Sequence, residues 1–122
     1  MPRFVVLEHH SPRGVHWDFM LQRGEGLATW ALAQAPAPHT SIAAQALAEH
    51  RLVYLDYEGP ISGGRGTVVR WDWGTFEPLQ WDAEMAVIAL SGTRLIGEVR
   101  LQRLADRPGE WSFVFTPRQG GQ

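Results

Sequence analysis

The stretch His16-Trp17-Asp18-Phe19-Met20-Leu21 (HWDFML) indicates which kind of fold the chain adopts. Alternate side chains of a β-strand point to opposite faces of the sheet. In this stretch one face would hold Trp17, Phe19 and Leu21, which suit a core. The other would hold His16, Asp18 and Met20. The alternation predicts a strand that buries aromatic residues on one side and presents an imidazole and a carboxylate together on the other.

Runs of β-branched and aromatic residues recur along the chain with turn residues between them. They span residues 3–8, 16–23, 27–33, 51–57, 66–73, 85–90, 94–104 and 111–116. Several short strands at this spacing are typical of a sandwich or barrel. We therefore predict an all-β protein, built as a small antiparallel β-barrel.

One segment has a different composition. Residues 40–49 (TSIAAQALAE) are rich in Ala and begin with Thr and Ser, which are good helix N-caps. We predict a short helix there, so that one or two short helices flank the barrel. Residues 117–122 are rich in Gly and Gln, and we expect this tail to fray.

The composition fits a single domain spanning residues 1–122. The hydrophobic fraction of 44% is sufficient for a core. No run approaches the ~18 apolar residues of a membrane span, and the N-terminus lacks a signal-peptide pattern. We therefore expect a cytoplasmic protein without a membrane partner.

The charge of the chain limits how it could hold nucleic acid. The formal net charge is −2 and the pI is about 6.2, which is not the basic footprint of a stand-alone duplex binder. All 11 basic residues are Arg, whose planar guanidinium suits bidentate contacts to phosphate. Any nucleic acid would be held locally. Because there is no Cys, a metal would need His and carboxylate ligands.

A candidate metal site combines the strand at His16 and Asp18 with the dipeptide His9-His10 that ends the preceding strand. The short loop between them lets the chain turn back, so either His9 or His10 could complete the site. Two imidazoles and one carboxylate suit manganese, iron or zinc and leave positions open for water and substrate. The alternative is that His16 and Asp18 form a simple polar pair and that the two histidines are a solvated strand end.

A second polar cluster lies at His50 and Tyr54. An imidazole can protonate a leaving oxygen or hold a phosphoryl oxygen, and a phenol can donate to another. The alternative is a His that satisfies carbonyls at a helix end, with Tyr54 half buried in the barrel wall. We interpret Asp56 and Glu58 as acids that support a turn rather than as a catalytic pair.

The six Trp residues could stack on nucleic-acid bases or fill a core. Four of them occur in strand patterns that favour core packing: Trp17, Trp30, Trp71 and Trp111. Trp73 and Trp81 lie near loops and are the candidates for exposure.

Several ordered blocks resemble the 3'-phosphoesterase domain of bacterial DNA ligase D. The blocks are RFVVLEHH at residues 3–10, HWDF at 16–19, LATWAL at 27–32, HRLVYLDYEG at 50–59, GGRGTVVRWD at 63–72 and GTFE at 74–77. The resemblance spans nearly the whole chain and suggests a copy without polymerase or ligase modules. It implies a compact β-barrel with short flanking helices.

The resemblance also implies a set of site residues. A manganese-type ion would be held by His9, His16 and Asp18, and His50 and Tyr54 would face the phosphate. Zinc and other transition metals also suit this ligand set. The loop between His9 and His16 is one residue longer than in the family, so His10 stays open as the ligand. The family removes a terminal ribonucleoside from 3' ends of nucleic acid and then the remaining 3'-phosphate.

The chain departs from the family pattern at four positions. Met20 stands where the family has a phosphate-binding Arg, Gln34 where it has Lys, Ala48 where it has Glu, and Ile42 near a further Arg. Losing one charge-assisted phosphate contact costs about 2 to 4 kcal/mol in the transition state. Four arginines could replace the missing charge: Arg13, Arg51, Arg65 and Arg70. Arg65, in its Gly-rich loop, is the most mobile of them.

Three functions follow as hypotheses. The first is a monomeric, metal-dependent phosphoesterase acting on primer-template 3' ends or a smaller phosphate ester, with a ligase, polymerase or Ku-type repair partner. The second is a catalytically impaired accessory module that binds metal and phosphate. The third is a cupin-like enzyme, which the HxD pattern disfavours because cupins use HxH.

Overall fold

The computed structural model describes residues 1–119, and these form nine strands and one 3-10 turn. The strands are β1 Arg3–Ser11, β2 Gly14–Arg23, β3 Gly26–Leu32, β4 Ser41–Arg51, β5 Gly59–Pro60, β6 Thr67–Trp81, β7 Met85–Ser91, β8 Ile96–Arg103 and β9 Glu110–Pro117. The 3-10 turn is Leu52–Leu55. The all-β class predicted from the strand pattern is confirmed.

The strands form one antiparallel sheet that closes on itself. Their order is β1-β2-β3-β4-β9-β8-β7-β6-β5, and β1 also pairs with β6. The long strand β6 makes this closure, since its first part pairs with β1 and its last part with β7. The result is a near-barrel ring, as the sequence predicted.

The predicted helix at residues 40–49 is wrong, because these residues belong to β4. Ile42 and Ala44 point into the barrel, whereas Ser41, Ala43 and Gln45 are exposed, which is the two-residue period of a strand. Pairing with β3 on one side and β9 on the other overrides the helix preference of the Ala residues.

The predicted strand at residues 51–57 is also wrong. The chain leaves the sheet after Arg51 and makes the Leu52–Leu55 turn. Within residues 1–119 there is no α-helix, so the expected flanking helices reduce to this turn. Strand β6 in turn runs beyond the predicted end at Trp73, and a register shift near Pro78 accommodates the proline.

Two separate apolar clusters lie on the two faces of the strands β1, β2 and β3. The larger one fills the barrel and includes Phe4, Phe19 and Leu21. The smaller one lies on the outer face and consists of Val5, Leu7, Met20, Leu27, Leu55 and Val68. We call it the outer cluster. The face assignment made from the alternation in β2 is therefore confirmed.

The Trp residues follow the prediction with one exception. Trp30 and Trp111 are buried, and Trp17 and Trp71 pack against the barrel core. Trp73 is 43% exposed, as expected. Trp81 instead packs against the barrel core, because its ring lies against those of Trp30 and Phe76.

The predicted fraying tail begins inside a strand, since β9 includes Pro117. Residues 120–122 of that prediction lie outside the described residues. In the described part of the chain, no helix has the length and apolar character needed to cross a membrane.

Candidate metal and phosphate site

The β1–β2 hairpin brings the predicted metal ligands together. Its register places His9 opposite His16 and Leu7 opposite Asp18. The hairpin turns tightly because the Ser11 hydroxyl donates to the Gly14 carbonyl oxygen and accepts from the Arg13 amide. Gly14 has φ +124°, a conformation that favours glycine. The short turn therefore holds two imidazoles side by side on the outer face of the barrel.

Three potential ligand atoms converge at this point. His9 Nδ1 lies 3.5 Å from Asp18 Oδ2, and His16 Nε2 lies 3.0 Å from Asp18 Oδ1. One ligand atom from each residue lies within 4.8 Å of the other two. Metal bonds of 2.0 to 2.2 Å would separate neighbouring ligand atoms by about 3 to 3.5 Å. The cluster of His9, His16 and Asp18 could therefore bind a metal ion with small adjustments.

The protonation pattern also fits a cation. His9 Nε2 lies 2.7 Å from the backbone carbonyl oxygen of Arg65, which can only accept. Nε2 therefore carries the hydrogen, and in the neutral ring Nδ1 presents its lone pair toward Asp18. The Asp18 side chain is buried, and its Oδ1 receives no well-directed hydrogen bond. A divalent ion would accept the lone pair of His9 Nδ1 and replace the poorly directed contact at Asp18 Oδ1, so the residues present fit such an ion.

His16 titrates under the influence of the same carboxylate. A poorly directed hydrogen bond with Asp18 raises the pKa of His16, and the Coulombic attraction to Asp18 adds to this. Burial of the ring opposes the rise only in part. Without a metal, the site therefore favours a proton on His16.

His10 does not take part in this cluster. It is exposed, and its Nε2 lies 2.5 Å from Glu8 Oε2. Because successive strand residues point to opposite faces, only one of the two histidines can face Asp18. The structure brings His9 there, and the sequence alone left this choice open.

A small cavity lies beside the cluster. Its volume is about 60 Å³, enough for a few water molecules. It is lined by the polar or charged residues His9, Asp18, His50, Tyr54 and Arg65, and by the apolar residues Leu7, Met20, Ile61 and Val68. The predicted phosphate-facing residues thus line one space with two of the three predicted metal ligands. His16, the third predicted ligand, belongs to the cluster but does not line the cavity.

His50 and Tyr54 reach this cavity from the end of β4 and the 3-10 turn. Their rings meet edge to face, with centroids 5.9 Å apart. His50 Nδ1 donates to the Ala48 carbonyl oxygen at 3.0 Å, which leaves Nε2 as the ring nitrogen free to contact a ligand. His50 therefore bonds to a local carbonyl oxygen, at the end of a strand rather than at the expected helix end, and it also lines the cavity.

Of the four arginines considered as replacements for the missing charge, Arg65 lines the cavity. Its Nε donates to the Ser62 carbonyl oxygen at 2.8 Å, so the exposed guanidinium is held by its own loop. Arg51 lies over the Tyr54 ring, 6.0 Å from the centroid. Arg70 lies over Trp73, and Arg13 is exposed in the hairpin turn.

The positions that depart from the family pattern have different surroundings. Met20 is fully buried in the outer cluster and lines the cavity, so the missing Arg is replaced by hydrocarbon at the site itself. Gln34 and Ala48 are exposed, and Ile42 is inside the barrel. None of these three lines the cavity.

The acids interpreted as turn supports make structural contacts. Asp56 pairs with Arg3 at 2.6 Å, and Glu58 accepts from the Arg70 amide at 2.8 Å. The guanidinium of Arg3 holds the pKa of Asp56 below its usual range.

Sequence reasoning missed the apolar walls of the cavity and the carbonyl of Arg65. The only sequence signal for the latter was the Gly63-Gly64-Arg65-Gly66 pattern, which marks a loop able to approach another backbone closely.

The fold and site define a small antiparallel β-barrel with a potential two-histidine, one-carboxylate metal site on its outer wall. The chain belongs to the DNA Ligase D 3'-phosphoesterase domain family, whose sequence profile matches residues 7–103. That range includes every site residue discussed above.

Curated relatives support this assignment. The chain is 33% identical over 109 residues to the multifunctional non-homologous end joining protein LigD of Mycobacterium bovis, covering 82% of the chain and 14% of that protein. The DNA repair protein LigD of Mycobacterium tuberculosis matches to the same extent. The Pseudomonas aeruginosa LigD is 32% identical over 124 residues, covering 92% of the chain and 15% of that protein. The chain thus spans about one seventh of the length of these relatives.

Proposed function

We propose that the chain is a manganese-dependent phosphoesterase that removes a 3'-terminal phosphate or ribonucleotide from nucleic acid. The observation that carries this proposal is that two sets of polar residues, from different parts of the chain, line the same small cavity. His9 and Asp18 line it from the β1–β2 hairpin, and His50, Tyr54 and Arg65 line it from the chain that covers the hairpin. Membership of the 3'-phosphoesterase domain family supports the reaction class.

His9, His16 and Asp18 would hold the ion. A divalent metal supplies Lewis-acid polarisation of a phosphoryl oxygen when it is bound. Manganese suits imidazole and carboxylate ligands, and zinc is the comparison to make experimentally. The Asp18 carboxylate contributes the one negative charge among the three ligands.

The remaining residues act on the phosphate. Arg65 exchanges its contact with the Ser62 carbonyl for a charge-assisted contact with a non-bridging phosphate oxygen. The Tyr54 hydroxyl donates to a second oxygen. Both contacts strengthen as negative charge accumulates on the phosphoryl group, so they favour the transition state over the bound substrate.

His50 is the proposed general acid. With Nδ1 bonded to Ala48, its Nε2 is the position from which the imidazolium delivers a proton. Water adds to phosphorus, the bond to the 3' oxygen breaks, and that oxygen takes the proton from His50. The products of this step are a 3'-hydroxyl end and inorganic phosphate. When a terminal ribonucleoside is removed, the bond from phosphorus to its 5' oxygen breaks instead, that oxygen takes the proton, and a 3'-phosphate end remains.

The substrate is held by its end rather than along a duplex. The net charge of −2 supplies no extended basic surface, so the terminal phosphate would provide most of the contact. Affinity for primer-template would then depend on a ligase, polymerase or Ku-type partner in end joining. We propose a cytoplasmic monomer that acts beside such a partner.

The test is a primer-extension substrate labelled at its 5' end and terminated by a 3'-phosphate or a 3'-ribonucleotide. We expect conversion with manganese and none with chelator. Asp18→Asn is the matched control, because it keeps the shape of the side chain and removes its charge. Absence of manganese-dependent product, or equal product from Asp18→Asn, contradicts the proposal. A parallel zinc arm establishes the metal.

A second function is favoured by the environment of Met20. This apolar residue lines the cavity, and in the described part of the chain Arg65 is the one arginine that does so. The second proposal is a catalytically impaired module that binds metal and phosphate. Family membership disfavours the cupin-like alternative.

Met20→Arg separates the two proposals. If the natural chain is an accessory module, activity appears only in the variant, with a gain of roughly two to three orders of magnitude over background. Measurable turnover by the natural chain, abolished in Asp18→Asn, rules the accessory function out. Circular dichroism checks that the buried Arg leaves the barrel intact.

A further inference from the structure

The loop formed by residues 61–66 touches the metal cluster through its backbone rather than through a side chain. The Arg65 carbonyl oxygen accepts a hydrogen bond from His9 Nε2 at 2.7 Å. The loop is closed upon itself, since the Ile61 amide donates to the Gly66 carbonyl oxygen at 2.7 Å. This places a fixed acceptor at the ring nitrogen of His9 that points away from Asp18.

Gly66 allows this approach. A Cβ at position 66 would lie 1.9 Å from the backbone carbonyl oxygen of His10, and Gly66 also has φ +98°. Any larger residue would push the loop away from β1. The Arg65 carbonyl would then leave His9, because it belongs to the adjacent peptide unit.

We propose that the loop is a positioning device for the metal centre, in which the Arg65 carbonyl fixes the tautomer and orientation of His9 and Gly66 provides the necessary close contact. The inference rests on the proposed metal function of His9, His16 and Asp18. Arg65 then has two separable roles, since its carbonyl orients a metal ligand and its guanidinium meets the phosphate. Outer contacts of this kind commonly change metal affinity by about tenfold to a hundredfold.

The two roles can be separated by substitution. Arg65→Ala removes the guanidinium and keeps the carbonyl, so we expect phosphate affinity to fall and manganese affinity to stay. Gly66→Ala keeps the guanidinium and displaces the carbonyl, so we expect manganese affinity to fall. If the loop only supported the fold, the two substitutions would not affect phosphate and manganese affinity separately.

Gly64→Ala is the matched control for Gly66→Ala. Gly64 also has a left-handed conformation, φ +69°, but a Cβ there meets nothing within 4 Å. Both variants therefore place a side chain on a residue of positive φ in one loop, and only Gly66→Ala introduces the collision with β1. Manganese affinity should remain near the natural value in Gly64→Ala.

The experiment is calorimetric titration of the metal-free full chain with manganese, and separately with inorganic phosphate in the presence of manganese. It is combined with nitrogen-15 spectra of the histidine rings in the metal-free protein. We expect His9 to be protonated at Nε2 in the natural chain, in Arg65→Ala and in Gly64→Ala, and to lose this preference in Gly66→Ala. Manganese affinity should fall about tenfold to a hundredfold in Gly66→Ala alone.

Equal manganese affinity in Gly66→Ala and Gly64→Ala overturns the inference, as does a natural His9 ring protonated at Nδ1. If Gly66→Ala does not fold, the ring spectra of the natural chain and of Arg65→Ala decide the matter. If the natural chain binds no manganese, the proposed function fails. The protonation of His9 still tests the contact with the loop in that case.

Discussion

The carboxylate of Asp18 lies between two imidazoles, 3.0 Å from one ring nitrogen and 3.5 Å from the other. A buried carboxylate is costly unless its oxygens find donors or a cation. Here the contact of Oδ1 with His16 is poorly directed and Oδ2 faces His9 Nδ1, an arrangement that suits a cation between the three side chains.

Manganese should therefore stabilise the natural chain. At a free concentration about one hundred times Kd, binding adds about 2.7 kcal/mol to the free energy of unfolding. Asp18→Asn should show no such gain. Thermal unfolding with and without manganese checks both statements. A manganese-induced shift of equal size in the variant contradicts them.

Metal binding should also depend on pH through His16. Its pKa is raised in the metal-free protein by hydrogen bonding with Asp18, so protons compete with the metal above the ordinary titration range of histidine. Below that pKa, apparent manganese affinity should fall about tenfold per pH unit. Calorimetry from about pH 5.5 to 8 measures this. An affinity that is constant over the range contradicts the assignment of His16 as a ligand.

The raised pKa of His16 also makes the stability of the metal-free fold depend on pH, in the direction opposite to that of metal binding. Because the folded-state pKa of His16 lies above the unfolded value of 6.5, the protonated ring stabilises the fold. That contribution is complete below the unfolded pKa and is lost as the pH rises through the folded one. As the pH rises through the pKa of His16, the metal-free protein should therefore lose a little stability, whereas the metal-bound protein should gain stability.

Among the elements, the connection between β7 and β8 depends on one buried side chain. Asp72, 1% exposed, accepts hydrogen bonds from the amides of Thr93 at 2.9 Å and Leu95 at 2.8 Å. It lies on β6, so it ties the turn between two strands to a third.

Asp72→Ala should leave both amides without this acceptor and destabilise the fold by about 2 to 5 kcal/mol. Manganese affinity should be unchanged at a temperature where the variant is folded, because Asp72 is no part of the metal cluster. Urea unfolding measures the first effect and calorimetry the second. A loss below about 1 kcal/mol would show that other groups satisfy the turn.

The elements also show why part of the fold was predictable. In β2 the alternation of Trp17, Asp18 and Phe19 identified both faces, because that pattern is local. In β4 the Ala-rich run masked the strand, and only closure of the ring between β3 and β9 fixes its conformation. The approach of Arg65 to His9 spans 56 residues of sequence, so no local pattern could place it.

At the scale of the whole molecule, the barrel wall separates two cores with different tasks. The inner core holds the ring together, whereas the outer cluster fixes the chain that carries His50, Tyr54 and Arg65 over the metal ligands. This division predicts that stability and phosphate binding respond to different substitutions.

Leu55→Ala and Leu101→Ala provide a matched pair. Leu55 is 4% exposed in the outer cluster, and Leu101 is fully buried inside the barrel. Each truncation should destabilise the fold by about 2 to 5 kcal/mol. Only Leu55→Ala should also weaken phosphate binding in the presence of manganese, measured at a temperature where both variants are folded. Equal effects on phosphate binding would show that the outer cluster has no special role.

The most direct test of the whole account is an anomalous difference map from crystals of the natural chain grown with manganese and inorganic phosphate. We expect one manganese peak at bonding distance from His9 Nδ1, His16 Nε2 and the Asp18 carboxylate, with phosphate density in contact with His50, Tyr54 and Arg65. A peak at His10 and Glu8, or phosphate bound away from the cavity, would contradict it.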